Sequence, residues 1–218
     1  MYVIIVGAGM IGESLVNILT SRGHDVVVVD RDSEKCIDLI RRYDVPTVNG
    51  DATIRSTLQE AGAEKADALV LTTNDDAVNV ISILEGKELG IESLISIVSQ
   101  PEHDIMFKRL GACVVESPAT AIAEFLYRLL QRPSIRDFMS IAGGKAEILE
   151  ILVTEKAPVV GKLLEELRLS HRDVIVVAIV RDDKLIIPRG STIIKDGDRA
   201  VIFALTERIE ETLSMFSA

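Results

Sequence analysis

Residues 3–19 read VIIVGAGMIGESLVNIL. Four β-branched residues lead into Gly7, Gly9 and Gly12, and an apolar helical pattern follows. This is the G-x-G-x-x-G arrangement at a strand-to-helix junction. The first glycine permits a tight turn, the second lets backbone approach a phosphate, and the third lets helix and strand pack closely. Backbone N–H groups at the helix start then face an anion with the favourable end of the helix dipole. The same cradle serves enzymes that use a dinucleotide as reagent and sensors that report which nucleotide is bound. The rest of the chain has to separate these.

Working outward, short apolar runs alternate with helical patterns. The runs are Tyr2–Val6, Val26–Asp30, Pro46–Val48, Ala68–Thr72, Leu94–Val98 and Cys113–Glu116. Helices are expected over Met10–Arg22, Ser33–Tyr43, Thr53–Ala61, Asp75–Leu89 and Glu102–Leu110. Runs without polar alternation suit strands buried on both faces, which predicts an α/β, Rossmann-like, doubly wound parallel sheet of six strands. Ser117-Pro118 opens a further helix, where Ile122, Phe125, Leu126 and Leu129 form one apolar stripe. That stripe either packs on its own sheet or crosses to a partner subunit.

The rhythm changes at Gln131-Arg132-Pro133-Ser134 and Ala142-Gly143-Gly144-Lys145. Beyond lie a strand at Ile148–Val153, a helix from Val159 to about Leu169, strands at Val174–Arg181, Lys184–Ile187 and Arg199–Ala204, and a closing helix from Thr206. This predicts a smaller α+β C-terminal domain. The expected division is a nucleotide-binding domain over 1–132, a linker over 133–145 and a second domain over 146–218.

Composition narrows the function classes. The 218 residues carry a formal charge of −10 and no cluster of Lys and Arg, which argues against nucleic acid and against a nucleotide-sensing transcription factor. The apolar runs fall far short of the roughly 20 residues that span a bilayer, and no signal peptide is visible, so a cytoplasmic protein is expected. Cys36 and Cys113, and His24, His103 and His171, are scattered without metal spacing.

Asp30 ends the second run, 18 residues after Gly12. A carboxylate there accepts hydrogen bonds from the ribose hydroxyls and repels a 2′-phosphate, favouring NAD, AMP, ADP or ATP over NADP. Arg31 beside it leaves NADP as the open alternative. Asn49-Gly50-Asp51-Ala52 and Thr72-Thr73-Asn74-Asp75 follow the third and fourth runs, so both loops open at the carboxyl edge of the sheet; each also reads simply as a capped helix start. Hydride transfer would need a proton-moving group beside the nicotinamide. His24 and His171 have no visible companion, and Tyr43 and Lys87 read as surface residues, so a small NAD-dependent oxidoreductase is the alternative rather than the main reading.

GAGMIG, VVVVD, NGDAT and LVLTTNDDAVN, followed by GKLLEELRL and VVAIVRDDKLIIPRGSTIIKDGDRAVIF, resemble the Trk/Ktr potassium-uptake regulatory proteins over essentially the whole chain. The first part is similar to their nucleotide-binding RCK (TrkA-N) domain and the second to their RCK-C (TrkA-C) domain. The resemblance implies a regulatory subunit and not an enzyme. It implies an octameric ring built from dimers, homomeric or completed by other RCK subunits, on the inner face of the membrane beneath a potassium transporter subunit. It also implies an adenine nucleotide, AMP, ADP, ATP or NAD/NADH, in the cleft. By motif, the backbone of Gly7, Ala8, Gly9, Met10, Ile11 and Gly12 would hold phosphate, and Asp30 the ribose. Asp51 and Ala52 would meet the adenine edge, Thr72 and Thr73 would close the other wall with Asn74, and Asp75 and Asn79 would shape the helix start.

Three positions depart from the family pattern. No Arg stands in the glycine loop to reach a distal phosphate, which disfavours a triphosphate. Ile97 stands where many members have Arg, and Ala119 stands where some have a cation-binding acid, so no metal is assigned.

Overall fold

The computed structural model describes residues 1–115, 117–131, 135–142, 144–169 and 173–217. Of the features read from sequence, Glu116, Arg132, Pro133, Ser134, Gly143 and His171 lie outside the described residues. The chain divides into two compact units, Met1–Ala123 and Glu124–Ala218.

In the first unit β1 (Tyr2–Val6), β2 (Asp25–Asp30), β3 (Thr47–Asn49), β4 (Ala68–Leu71), β5 (Ser93–Ile97) and β6 (Cys113–Val115) form one parallel sheet. Its order, β3-β2-β1-β4-β5-β6, is that of a doubly wound dinucleotide fold. Alternation along β1 and β2 explains why both faces are covered. Val3, Ile5, Val26 and Val28 pack with Val16 and Leu39, while Ile4, Val6, Val27 and Val29 pack with Leu58, Ile83 and Phe107. Helices α1 (Met10–Ser21) and α2 (Ser33–Tyr43) supply Val16 and Leu39; α3 (Arg55–Glu60), α4 (Asp76–Glu88) and α5 (Asp104–Leu110) supply Leu58, Ile83 and Phe107. Burying each such side chain is worth about 1.5–3 kcal/mol.

The sheet order reverses between β1 and β4. Strand β1 pairs β2 on one side and β4 on the other, so the loops after β1, β2, β3 and β4 converge at its carboxyl edge. Helix α2 is capped by Asp32, whose carboxylate accepts from the N–H groups of Glu34 and Lys35. Asp75 caps α4 in the same way. The stretch expected to be helical from Thr53 instead turns first, and α3 begins only at Arg55.

Helix α6 (Pro118–Gln131) follows β6. Ile122 and Leu126 of the expected stripe are exposed, at 60% and 55%, so the chain's own sheet does not bury them. Phe125 stacks on Phe138 with ring centroids 5.4 Å apart. The Leu129 side chain is not described.

The second unit holds an antiparallel sheet, order β10-β9-β11-β8-β7. Its strands are β7 (Ile135–Ile141), β8 (Ala146–Leu152), β9 (Val174–Arg181), β10 (Lys184–Ile186) and β11 (Arg199–Leu205), and helix α7 (Ile209–Phe216) closes the chain. Leu149, Ile151, Ala200 and Ile202 form its core with Leu213 and Phe216. Strand β7 was not foreseen.

The helix expected over Val159–Leu169 shrinks to one 3-10 turn, Leu164–Leu167. Gly161 sits at φ +79, and apart from short i to i+3 bonds the segment bonds sideways. Gly161 N donates to Ile194 O, Leu164 N to Thr192 O and Glu165 N to Gly190 O. Those cross-links outcompete a helix of only three turns.

Candidate functional site

At the reversal point lies a cleft of about 200 Å³ lined by Val6, Gly7, Val29, Asp30, Arg31, Gly50, Ala52, Thr73, Asp75 and Val78. The glycines behave as their spacing requires. Gly7 has φ +104, and a Cβ there would lie 2.9 Å from Thr72 Oγ1. A Cβ on Gly12 would lie 1.9 Å from the carbonyl oxygen of Gly7, so helix and turn touch backbone to backbone. Nothing lies within 4 Å of the equivalent point on Gly9, where backbone is open to a ligand.

Asp30 projects from the end of β2 towards this loop. Its Oδ2 accepts from Ala8 N at 2.6 Å and its Oδ1 from Asp32 N at 2.8 Å. Each oxygen retains a lone pair, which is what two vicinal hydroxyls require.

On the β3 side, Asp51 Oδ1 accepts from Thr53 N and Oγ1 at 2.9 and 2.7 Å. Its Oδ2 meets Arg31 Nη2 at 2.8 Å. The Thr53 hydroxyl, with help from the Arg31 guanidinium and the Thr53 N–H, lowers the Asp51 carboxyl to about 2. Asn49 Nδ2 donates to the carbonyls of Asp30 and Arg31, fixing the backbone that carries both side chains.

On the β4 side, Thr72 Oγ1 lies 3.0 Å from the carbonyl oxygens of Val6 and Gly7 and supports the glycine loop from below. Thr73 Oγ1 donates to Asn79 Oδ1, and Asn79 Nδ2 donates to Thr73 O. Asn79 is fully buried, so the pair fixes this wall.

Behind it, Asp76 accepts from Ser99 N and Gln100 N, with His103 Nδ1 at 2.7 Å. Burial alone would raise the Asp76 pKa; the hydrogen bonds from Ser99, His103 and Gln100 outweigh it and hold the group below its ordinary value.

Of the residues expected from sequence, Gly7, Asp30, Arg31, Ala52 and Thr73 line the one cleft. Ala8 and Asp51 join it through Asp30 and Arg31, whereas Gly12 and Thr72 lie beneath the loop. Met10 points outward at 88% exposure, Ile11 is also exposed, and Asn74 offers its carbonyl to Ser99 Oγ at 3.0 Å. Gly50 and Val78 line the cleft without having been singled out for it. The Asp76 to His103 link was also missed, because nothing in the sequence ties two residues 27 apart.

Both cysteines are free thiols. No described helix is long and apolar enough to cross a membrane.

Comparison with known proteins places this geometry among relatives. The TrkA-N domain model matches residues 3–118 and the TrkA-C domain model residues 148–217. The chain is 32% identical over 217 residues to the Trk system potassium uptake protein TrkA homolog of Methanothermobacter thermautotrophicus, covering all of both chains. It is also 32% identical over 220 residues to the homolog of Archaeoglobus fulgidus, where it spans 99% of its own length and 50% of the relative's. Among solved structures, the GsuK channel superposes over the whole of this chain and 39% of its own, with TM-score 0.69 and 20% identity. The GsuK channel bound to NAD gives 0.67, with the same coverage and identity. At that identity the likeness establishes the fold alone. Both relatives are named for potassium uptake and neither as an enzyme, which sets aside the oxidoreductase alternative.

Proposed function

The chain belongs to the TrkA family, whose TrkA-N and TrkA-C domains it carries, and from that premise we propose that it is a nucleotide-sensing regulatory subunit of a potassium uptake system. The observation that carries the nucleotide part is Asp30. It is tethered to Ala8 N at the mouth of an open glycine loop, with both carboxylate oxygens still able to accept.

In this proposal the backbone from Gly7 to Gly12 holds phosphate, Asp30 the ribose hydroxyls, and Asp51 with Ala52 the adenine edge. Thr72, Thr73 and Asn74 form the far wall. No cation other than Arg31 lines the cleft among the described residues, and Arg31 is paired. AMP, ADP or NAD(H), held mainly by backbone, therefore suit it better than ATP. The GsuK channel, which shares the fold, was solved with NAD bound, and the ligand class proposed here includes that one.

Regulation follows from differential affinity. A nucleotide that binds one conformation better than another shifts the population by that difference, and a few kcal/mol suffices. The nucleotide would close the cleft beside Gly9 and Asp30 and reorient α6. Residues 1–132 act as the sensor and 146–218 as the second domain, joined through 133–145. The partners are a membrane-embedded potassium transporter and further RCK subunits in a ring, and the protein works at the inner face of the membrane.

The experiment is to identify the nucleotide that co-purifies with the chain and titrate AMP, ADP, ATP, NAD and NADH against it. Scattering profiles are then compared at saturation. Binding of AMP, ADP or NAD(H) with a changed profile supports the proposal. Saturated binding with superimposable profiles overturns the sensor mechanism, and absence of binding overturns the ligand class.

A further inference from the structure

The Arg31 guanidinium stands one residue from Asp30, where a cation could in principle receive a ribose 2′-phosphate. It is engaged elsewhere. Arg31 Nη2 lies 2.8 Å from Asp51 Oδ2 across the gap between the end of β2 and the loop after β3. The carboxylate end of this bridge is fixed, since Thr53 bonds the other oxygen of Asp51 through two groups, and Asn49 Nδ2 holds the backbone from which Arg31 projects by bonding its carbonyl at 2.9 Å. Asp30, Arg31 and Asp51 together carry a net negative charge, and Asp75 adds another carboxylate to the same cleft.

We propose that Asp51 is a specificity-determining residue: by holding Arg31 along the adenosine rim it denies that guanidinium to a 2′-phosphate, so the cleft selects nucleotides with a free 2′-hydroxyl. The inference rests on the nucleotide reading of the cleft. Asp30 alone disfavours the 2′-phosphate by like charge, as any carboxylate at this place does. Asp51 adds to this by occupying the cation that would otherwise offset it. The pair stands at the rim with Arg31 more than half exposed, so its contribution to folding is small and its effect falls on the choice of ligand.

The test is titration of NAD and NADP against the wild-type chain, Asp51→Asn, Arg31→Ala and the double variant, each checked for an unchanged melting profile. Asp51→Asn keeps the shape and releases Arg31. It is expected to raise the ratio of NADP to NAD affinity about threefold to fivefold, the worth of releasing one half-exposed ion pair. The double variant is expected to lose that gain. Arg31→Ala, an exposed change that keeps the chain folded, is expected to move both affinities by the same factor.

A ratio unmoved by Asp51→Asn overturns the proposal. So does selective loss of NADP binding in Arg31→Ala, which would mean that Arg31 already receives the phosphate. Should the wild-type chain bind neither dinucleotide nor AMP, the nucleotide reading itself fails and this inference with it. Binding of NAD with an unmoved ratio removes the inference alone.

Discussion

The backbone N–H of Ala8 donates to Asp30 Oδ2 at 2.6 Å, joining the glycine loop to the end of β2 across 22 residues of sequence. The carboxylate therefore shapes the cradle as well as offering itself to a ribose. Asp30→Ala removes both effects: the acceptors for the hydroxyls vanish and the Ala8 N–H loses its partner. Hydrogen bonds to a charged group are worth about 1.5–3 kcal/mol each, so adenine nucleotide affinity is expected to fall at least about tenfold. Calorimetric titration checks this, and unchanged affinity would remove Asp30 from the site.

Gly12 tests the packing beneath the loop. Its missing Cβ would sit 1.9 Å from the Gly7 carbonyl oxygen, against backbone and not against a side chain that could swing aside. Gly12→Ala must push α1 away from the turn. A destabilisation on the order of 3 kcal/mol is expected, with loss of nucleotide binding, whereas Gly9→Ala meets no atom of the protein and is expected to spare stability. Denaturant melts of the two variants separate these; equal stabilities would contradict the geometry.

How far the sequence carried this can be judged at particular residues. Strands β1 and β2 were legible because Val3–Val6 and Val26–Val29 are apolar at every position, the mark of a sheet covered on both faces. Gly7 and Gly12 were legible because local backbone geometry demands glycine there, and Asp30 because it ends β2 at a fixed spacing from the glycines. What escaped reading is pairwise and distant. Nothing near Arg31 announces Asp51, and nothing near Asp76 announces His103; such partners exist only once separate loops are brought to one sheet edge. The expected helix over Val159–Leu169 failed for a related reason, since residues 190–194 take up the hydrogen bonds that a helix would have made internally. Strand β7 needs β8 beside it, and its own sequence alternates Phe138 and Met139 with Asp137 and Ser140 too irregularly to declare a strand.

Two carboxylates, one at the rim of the cleft and one behind its wall, fix the sign of the acid response. Asp51, held at about 2 first by Thr53 and then by Arg31, and Asp76, lowered by its three hydrogen-bond partners, are both more acidic folded than unfolded. Their contribution is therefore complete above the ordinary carboxylate value of about 3.9 and is lost as pH falls from there through the folded values. Stability measured by denaturant is expected to drop steeply below about pH 4 on this account. Asp51→Asn and Asp76→Asn should each flatten that limb, the Asp51 effect reduced by solvent screening of its third-exposed side chain. Acid limbs of equal slope in wild type and both variants would show that neither group titrates as described.

In the second unit Arg181 pairs with the buried Asp198. Asp198 is 1% exposed, with Arg181 Nε on one oxygen at 2.7 Å and Arg181 Nη2 and Lys195 N on the other at 2.8 Å. Arg181 Nη2 also donates to Ile193 O, so one guanidinium ties β9 to the turn that leads into β11. Removing either partner alone strands the other. Arg181→Met leaves a buried carboxylate with only the Lys195 N–H, and a loss of about 3 kcal/mol in the stability of this unit is expected. The paired substitution Arg181→Met with Asp198→Leu removes both charges and should recover part of the loss, since an apolar pair of similar volume carries no desolvation cost. Equilibrium unfolding of the two single variants and the double variant forms the cycle. If the double variant is as unstable as the sum of the singles, Asp198 and Arg181 act independently, and the turn from Ile193 to Asp198 must be held by its backbone bonds instead.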